Sequence, residues 1–565
     1  TSVGALGGGS ISSGFGNIDN GSSSITTTGT ITYGSLSDGT TTISSVDQDI
    51  SSVSGSHDTL ATAKAIKTYV DSQTVTATGL SGTGTENVHI GGSSLANITS
   101  DAVRNTAFGQ EAGEQITSGD LNTAIGYQAL QAATTDQNHV AIGYAALGST
   151  NESYYSGELV NGIVGVGAYA GFTNVTGRNQ TFVGTKAGRY LVGGQNTAIG
   201  DSALQGVSGT TTSDVQQCVA VGYNSMSAIT TGDSNTAVGA SAGAKITTGH
   251  YNILVGQEAH GPTTGDNNVG IGRGALSSSL TSGDDNVAVG FEAMRYGSGS
   301  YNIAVGPGAL EGSSSTAMSG MDNVAIGRLA GSATTTASDS IFIGGLAGRY
   351  NHTAESCVYI GYSSGNNNSN STTNSGNNNI GVGTSTGYNI TTGASNTMVG
   401  YAAGSTITTG SVNTCLGNDA EPSSATASGE FTLGDSNVST LRCNDTSISS
   451  LSDERDKTDI VDSSYGLDFI NTIRPVQFKW DRRDLAKGDK TAVNNGKTRL
   501  GFLAQEFQKA MPNKENETLN LVHENNSERL ETKMGNLIPI LTKAIQDLSK
   551  QNKELENRIV ELENK

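Results

Sequence analysis

The stretch "NTAVGASAGAKITTGHYNILVG", residues 235–256, decides the fold because it holds one complete repeat of 17 residues and the start of the next. The consensus is Asn-[Thr/Val/Ile]-x-[Val/Ile]-Gly-x-x-Ala-[Gly/Leu], followed by a polar turn. Twenty such glycines occur from Gly91 to Gly434, mostly 16 to 18 residues apart. Self-similarity at a fixed short period is typical of repeat architectures.

Each repeat predicts one short strand followed by a bend. In a strand, Thr236 and Val238 point to the same face and form an apolar row. Gly239 permits a bend that a Cβ would obstruct, and Ala242 then packs closely. One unit cannot bury its apolar row alone, so stacked units are expected to bury it, which predicts a β-roll or β-solenoid over residues 86–435.

Composition excludes several function classes. The chain has 565 residues, 77 of them Gly, and a net charge of −20, so nucleic acid and anionic membrane surfaces are not expected partners. No apolar run is long enough to insert into a membrane. The histidines and cysteines lack ligand spacing, so no metal or cofactor is expected. Three thiols, Cys218, Cys357 and Cys415, lie in or beside repeat strands and are predicted to be buried packing residues.

Four longer intervals between repeat glycines predict inserted loops, which could either bind a ligand or be surface decoration. Upstream of the body, residues 1–56 are predicted to be a β-rich shaft or attachment segment, and residues 57–73 a short helix capped by Asp58. Downstream, a linker is predicted at residues 436–451. The loops are expected at about 147–161, 205–217, 311–322 and 364–378.

A break in composition marks a second domain at "LSDERDKTDI", residues 451–460. The 114 residues from Ser452 to Lys565 contain 19 Lys+Arg and 20 Asp+Glu, which leaves 31 − 19 = 12 basic and 51 − 20 = 31 acidic residues upstream. Such a change indicates a domain boundary. Trp480 is expected in the core of this domain.

A heptad pattern predicts that the chain ends in a coiled coil, residues 534–565. Apolar residues alternate at steps of four and three, Asn552 would fix the register, and Arg558 can pair with Glu563 of a neighbouring helix. Ile at a and Leu at d with one Asn favour two strands, which conflicts with the trimer expected below. The seam comprises Met534, Ile538, Leu541, Ile545, Leu548, Asn552, Leu555, Ile559 and Leu562.

The repeats, such as "NTAIG" and "NVAIG", resemble the head repeats of trimeric bacterial adhesins of the YadA-like type, although their period is longer. This resemblance implies an elongated, mainly β homotrimer. In the N-terminal segment, "GFGNIDNGSSSITTTG" followed by "LATAKAIKTYVDSQ" is similar to the shafts of tail fibres, particularly those of cyanophages.

Three C-terminal blocks, "LSDERDKTDI", "GLDFINTIRPVQFKW" and "TRLGFLAQEFQKAMP", resemble the self-cleaving intramolecular chaperones of phage tailspikes and fibres, the endosialidase-type peptidase family S74. The resemblance implies an α+β chaperone domain at residues 452–533 and a trimeric coiled coil after it. It also implies hydrolysis of the Leu451–Ser452 bond, with Ser452 as nucleophile and Lys457 as base. Asp453 and Arg455 match the rest of the family's motif.

Chemistry by Ser452 and Lys457 has a geometric requirement. An amine acts as a base only when deprotonated, which needs burial or a neighbouring cation, and Arg455 is close enough in sequence to contribute. Residues i and i+5 meet on neither a straight helix nor a strand. The segment is therefore expected to bend, or Lys457 to come from another subunit, which would make cleavage report completed assembly.

These resemblances imply a trimeric phage tail fibre in the virion, with an autoproteolytically released chaperone. Its expected partners are other tail or baseplate proteins at the N-terminus and a host-surface glycan or protein. One alternative is a tailspike polysaccharide depolymerase, which needs paired carboxylates in a groove, whereas Glu111, Glu258 and Glu292 form an exposed row. Another is a bacterial adhesin, which would need a membrane anchor where this chain has the chaperone-like blocks.

Overall fold

A computed structural model gives the fold in two compact units, Thr1–Ser81 and Gly82–Lys565. In the first unit it describes only four short strands. In the second it describes residues 86–150, 162–173, 177–209, 214–277, 282–367, 374–438, 440–444, 452–479, 498–511, 515–524 and 530–565.

The described residues of the first unit form two strand pairs. Leu36–Ser37 pairs antiparallel with Thr42–Ile43, and Ser45–Asp47 pairs parallel with Thr59–Ala61. Thr59–Ala61 falls where the helix over residues 57–73 was predicted to begin, so that predicted start is wrong, because these residues pair with a strand instead. The remainder of the predicted helix and most of the predicted shaft, residues 1–56, lie outside the described residues.

The body is a parallel β-solenoid, as the repeats predict. Each strand pairs in register with the next along the chain, so that Ala237, for example, lies opposite Leu254. Nineteen such pairings join 20 strands. They are Val88–Ile90, Thr106–Phe108, Thr123–Ile125, Val140–Ile142, Ile163–Val166, Gln180–Val183, Thr197–Ile199, Val219–Val221, Thr236–Val238, Ile253–Val255, Val269–Ile271, Val287–Val289, Ile303–Val305, Val324–Ile326, Ile341–Ile343, Val358–Ile360, Ile380–Val382, Thr397–Val399, Thr414–Leu416 and Phe431–Leu433.

The core contains a different row of residues from the one expected. The mid-strand residue points inward and is buried in every rung from Ala107 to Cys415, together with the residue three positions after the glycine, which is Ala except at Ser225, Ser364 and Thr386. The Val/Ile row, expected to be buried, faces outward, and Ile125, Ile199 and Ile326 are 37–41% exposed. The expectation was wrong because the Asn that begins most repeats is itself buried, and residues two apart in a strand share a face. The mid-strand residue therefore points inward, whether it is Ala or as large as Phe182 or Tyr359.

The repeat glycines are required by backbone conformation and by space. Gly239 has φ +136°, a conformation that L side chains rarely adopt. A Cβ at this position would lie 2.6 Å from the carbonyl oxygen of Gly256 in the next rung. The glycine therefore permits both the bend after the strand and the close stacking of rungs.

A ladder of buried asparagine side chains joins the rungs; we call it the asparagine ladder. The Oδ1 of Asn252 accepts the backbone N–H of Asn268 at 3.0 Å, and the Nδ2 of Asn268 donates to the carbonyl of Gly283 at 2.9 Å. The pattern recurs along the body. Hydrogen bonds from one rung to the next thereby satisfy polar groups that would otherwise be buried without partners.

The cysteine prediction is confirmed. Cys218 takes an asparagine's place in the ladder, where its N–H donates to Asn196 Oδ1 at 2.9 Å and its sulfur accepts from the Asn235 N–H at 3.3 Å. Burial raises the pKa of the Cys218 thiol to about 11. Cys357 and Cys415 are likewise buried and unpaired thiols. These residues pack the solenoid and are poor nucleophiles.

Of the predicted inserted loops, only residues 311–322 are described in full, and Met318 there forms an isolated bridge with Gly297. The other three include residues outside the described part of the chain. The predicted linker is described at residues 436–438 and 440–444, where it has no helix or strand.

A small α+β region follows, as predicted. Its antiparallel strand pairs are Val476–Phe478 with Arg499–Gly501 and Val522–His523 with Glu531–Thr532. Its core includes Phe469, Phe507 and Leu521. Trp480 lies outside the described residues. The helices are Leu467–Ile470, Ala504–Ala510, Glu515–Leu519 and Leu537–Glu563, with 3₁₀ turns at Glu454–Asp456 and Met534–Asn536.

The terminal helix, Leu537–Glu563, has two apolar faces. Leu537, Ile540 and Ala544 are buried against the α+β region. The predicted heptad seam lies next to these residues on the helix surface and continues beyond them, and its Ile and Leu residues are 43–68% exposed. Met534 precedes the helix in a 3₁₀ turn. The seam is therefore a second apolar surface that the single chain leaves exposed to solvent.

Removing one member of the asparagine ladder should open the rung beside it. Asn268→Ala leaves the N–H of Asn286 and the carbonyl of Gly283 without their present partners, at a cost of about 1–3 kcal/mol for each group. We expect faster hydrogen exchange around Asn286, measured by mass spectrometry. Asn389→Ala, which removes an exposed hydrogen bond to the Ser405 carbonyl, is the control. Unchanged exchange at Asn286 would contradict the ladder's structural role.

Acid should destabilise the rung that contains His139. This side chain takes an asparagine's place, and its Nδ1 accepts the Ile163 N–H at 3.1 Å. Burial lowers the pKa of His139 to about 4 from 6.5. Between these values the unfolded chain binds the extra proton, so stability falls as pH is lowered, by on the order of 3 kcal/mol at pH 4.

The comparison is between the wild type and His139→Asn, which restores the repeat residue. We expect the melting temperature of the wild type to fall further between pH 7.5 and pH 4.5 than that of the variant. Equal falls in the two proteins would show that burial of the imidazole does not contribute to acid sensitivity.

Candidate functional site

A single 3₁₀ turn shapes the start of the C-terminal region. Asp453 caps the turn Glu454–Asp456, and its Oδ1 accepts the N–H of Arg455 at 3.0 Å. The Lys457 N–H donates to the Glu454 carbonyl at 3.1 Å. A side-chain acceptor at the residue before the turn is the usual way to satisfy its first free N–H. The turn reverses the chain between Ser452 and Lys457.

This reversal brings the two predicted catalytic residues together within one chain. Lys457 Nζ donates to Ser452 Oγ at 2.6 Å and lies 3.3 Å from the Ser452 carbonyl oxygen. Of the two geometries expected for a spacing of five residues, a bent segment or an intersubunit pair, the single chain adopts the bent segment. The distance is within the range that proton transfer requires.

Arg455 has a different environment from the one expected. Its Nε and Nη2 donate to the two carboxylate oxygens of Asp453, at 3.0 and 2.6 Å. This bidentate pair lowers the pKa of Asp453 and raises that of Arg455. Arg455 therefore holds the turn closed against Asp453. Its positive charge is balanced there, so it is not the free cation near Lys457 that the sequence suggested.

Solvent exposure limits what this site can do in one chain. Ser452 and Lys457 are both exposed, and Leu451, on the other side of the expected scissile bond, lies outside the described residues. A serine–lysine pair can act as nucleophile and base once the amine loses its proton, and a low-polarity environment favours that loss. The pair thus has suitable contact geometry, and the described residues of the single chain do not bury it.

In the described part of the solenoid, two of the three acids singled out from the sequence are engaged by other side chains. Glu111 accepts hydrogen bonds from Gln128 and Gln131, and Glu292 forms an ion pair with Arg295 at 2.8 Å. Glu258 is exposed. Partial burial, with a smaller contribution from Glu292, raises the pKa of Glu311. Glu292 is thus ion-paired with an arginine on its own turn.

The sequence reasoning missed a contact between the α+β region and the last rung of the solenoid. His523 Nε2 lies 3.0 Å from Glu430 Oε1. Glu430 stands where the repeat has an asparagine, and its carboxylate also accepts from Ser423 N and Oγ at 2.7 and 2.6 Å. The signal available in the sequence was this single departure from the repeat at its end.

Comparison with known proteins identifies the family that this region resembles. Residues 452–514 match the family model Peptidase S74, described as chaperone of endosialidase. The match begins at Ser452 and includes the turn, the serine–lysine pair and the first strand pair. No curated protein matches the chain. The resemblance stated from the C-terminal blocks is therefore confirmed for this segment.

The described residues lack both a membrane-spanning helix and a metal-binding cluster. They contain no helix that is both long and apolar enough to cross a membrane. Within the same part of the chain, no group of three or more His, Cys, Asp or Glu side chains could hold a metal ion.

Proposed function

We propose that this chain is a homotrimeric phage tail fibre whose C-terminal domain is an intramolecular chaperone that cuts itself free at Leu451–Ser452. The contact of 2.6 Å between Lys457 Nζ and Ser452 Oγ carries this proposal, because it lies at the start of the segment that matches the endosialidase chaperone. Ser452 Oγ would attack the carbonyl carbon of Leu451, and Lys457 would take the hydroxyl proton and pass it to the Ser452 amine as the peptide bond breaks. Water would then hydrolyse the resulting ester between Leu451 and the Ser452 side chain, which separates the two pieces.

The exposed apolar surfaces support a trimer. One is the Val/Ile row along the solenoid, and the other is the heptad seam of the terminal helix. Burying the exposed half of an Ile or Leu side chain contributes about 1 kcal/mol. The row recurs in every rung, so association of like chains along it would bury apolar surface continuously.

Assembly also offers a way to control the cut. In one chain Ser452 and Lys457 touch but are open to water. Neighbouring chains packed around the turn would exclude that water and favour the neutral amine. Cleavage would then follow trimerisation, and the chaperone would remain attached until the three chains are aligned in register. Parallel strands with many non-local contacts fold slowly and are prone to aggregate, so an attached chaperone would help the three chains to fold.

As a fibre, the protein would reside in the virion, with the N-terminal segment joined to other tail proteins and the solenoid presented to the host surface. The depolymerase alternative has less support, since Glu111 and Glu292 are engaged by neighbouring side chains on the solenoid surface. The match to a phage-type chaperone at residues 452–514 favours a fibre over a bacterial adhesin.

Removing the nucleophile should prevent cleavage. Wild-type protein should separate on a denaturing gel into pieces of 451 and 114 residues, whereas Ser452→Ala should stay at 57.6 kDa. Lys457→Met should behave in the same way, because it removes the base. Thr458→Ala, just outside the pair, is the matched control and should cleave. An uncut wild type that is trimeric by native mass would contradict the proposal.

A charge in the heptad seam should weaken the trimer. Ile559 and Val560 are adjacent and equally exposed, at 53% and 54%, but only Ile559 belongs to the seam. Ile559→Asp would place like charges together in an apolar interface. On the Ser452→Ala background, which keeps the helix attached, we expect a lower trimer fraction by light scattering. Val560→Asp should leave it unchanged, and equal effects of the two variants would contradict the seam.

A further inference from the structure

Four aromatic side chains form a continuous cluster on the outside of the solenoid. The Tyr127 and Tyr144 rings stack with centroids 5.6 Å apart, Tyr169 meets Tyr144 edge to face at 5.0 Å, and Phe172 meets Tyr169 at 5.4 Å. Tyr127 and Tyr144 occupy the first position after the repeat glycine in consecutive rungs, and Tyr169 the second position in the rung that follows. The rings therefore extend across three consecutive rungs.

The backbone makes room for this cluster. A Cβ on Gly148 would lie 3.0 Å from the Phe172 ring. The pKa of Tyr144 is raised, first by its side-chain hydrogen bond with Tyr169. Tyr127 and Tyr144 nevertheless remain 39% and 46% exposed. The rings thus contact one another and still present apolar faces and hydroxyl groups to solvent.

Arg189 adds a positive charge at the edge of the cluster. Its guanidinium carbon lies 4.4 Å from the centre of the Tyr169 ring and 4.9 Å from that of Tyr190. Its Nε is buried without a hydrogen-bond partner in the described part of the chain, and the residue as a whole is half-buried, so only its terminal Nη groups could meet a ligand. No carboxylate of the described residues lies within ion-pair distance of it. A stacked guanidinium keeps its hydrogen-bonding edge available for a planar anion.

We propose that Tyr127, Tyr144, Tyr169, Phe172 and Arg189, which we call the aromatic corner, bind a carboxylate-bearing polysaccharide. Exposed aromatic faces pack against the apolar C–H faces of pyranose rings, and the tyrosine hydroxyls can bond to sugar hydroxyls. The guanidinium of Arg189 would take the carboxylate. This inference rests on the proposed function, since it names the site and the class of glycan for host attachment.

Charge elsewhere on the solenoid adds to the argument. The first 451 residues carry 31 acidic and 12 basic side chains, so an acidic polymer is repelled by most of this surface. Binding would therefore need a local cation free of a carboxylate partner, and among the described residues Arg189 forms no ion pair. Arg295, by contrast, is already paired with Glu292.

The test uses the full chain with polygalacturonate as the acidic probe and dextran as the neutral one, in affinity electrophoresis. Wild type should bind polygalacturonate about tenfold more tightly than dextran. Tyr144→Ala should weaken binding to both polymers, and Arg189→Gln should abolish the preference for the acidic one. Tyr401→Ala, an exposed tyrosine at the same repeat position in a distant rung, is the matched control and should bind as wild type does. Equal circular dichroism spectra exclude misfolding.

Two results would overturn the proposal: wild type that binds neither polymer, or Tyr144→Ala that binds as tightly as wild type. Adsorption to a panel of bacterial cells separates this proposal from the fibre function. If wild type and Tyr144→Ala adsorb equally, the aromatic corner is not the attachment site, but the proposed host attachment is still supported. If wild type binds polygalacturonate but adsorbs to no cell, glycan binding by the aromatic corner is supported and the proposed host attachment is contradicted.

Discussion

The solenoid depends on one interaction, the hydrogen bond from the backbone N–H of a ladder residue to the side chain of the ladder residue one rung earlier, which is an asparagine in most rungs. This bond fixes the stagger between rungs, and the side-chain NH₂ group satisfies a turn carbonyl in the following rung. The glycine conformation and the small interior both follow, because rungs held this closely leave no space for a Cβ at the bend. Neutral side chains suit the task, since a buried unpaired charge would be costly.

The period, the glycine bend and the parallel solenoid were all predictable from the sequence, because a repeated hydrogen-bonding residue and a repeated glycine leave few ways to stack. The sequence did not predict which face of each strand lies inside the solenoid. A strand of three residues has an apolar pair on one side and a single alanine on the other, and alternation alone favours burying the pair. The structure buries Ala237 and leaves Thr236 and Val238 outside, because the buried ladder residue Asn235 lies two positions before Ala237 and shares its face. Asparagine is mostly exposed in proteins, so its burial was not expected from the sequence.

At the C-terminal site, too, the sequence predicted some features and not others. The identities of Ser452 and Lys457 followed from a motif, and so did the need for a bend between them. The turn itself depends on Asp453, which both caps it and binds Arg455, a double role that separation in sequence does not reveal. The aromatic corner was missed for a related reason, since Tyr127, Tyr144 and Tyr169 are far apart in sequence and meet only when the rungs stack.

Glu430 replaces asparagine in the last rung, so this end of the solenoid differs chemically from the rungs before it. Asn413 Oδ1 still accepts the N–H of Glu430, but a carboxylate has no amide hydrogens with which to bind a further turn, and this one is occupied by Ser423 and His523. The polar groups of the last rung are thereby satisfied by the chain's own turn and α+β region instead of by another rung. The end of the solenoid is covered by a carboxylate–imidazole contact, which differs in kind from the amide contacts that join its interior rungs.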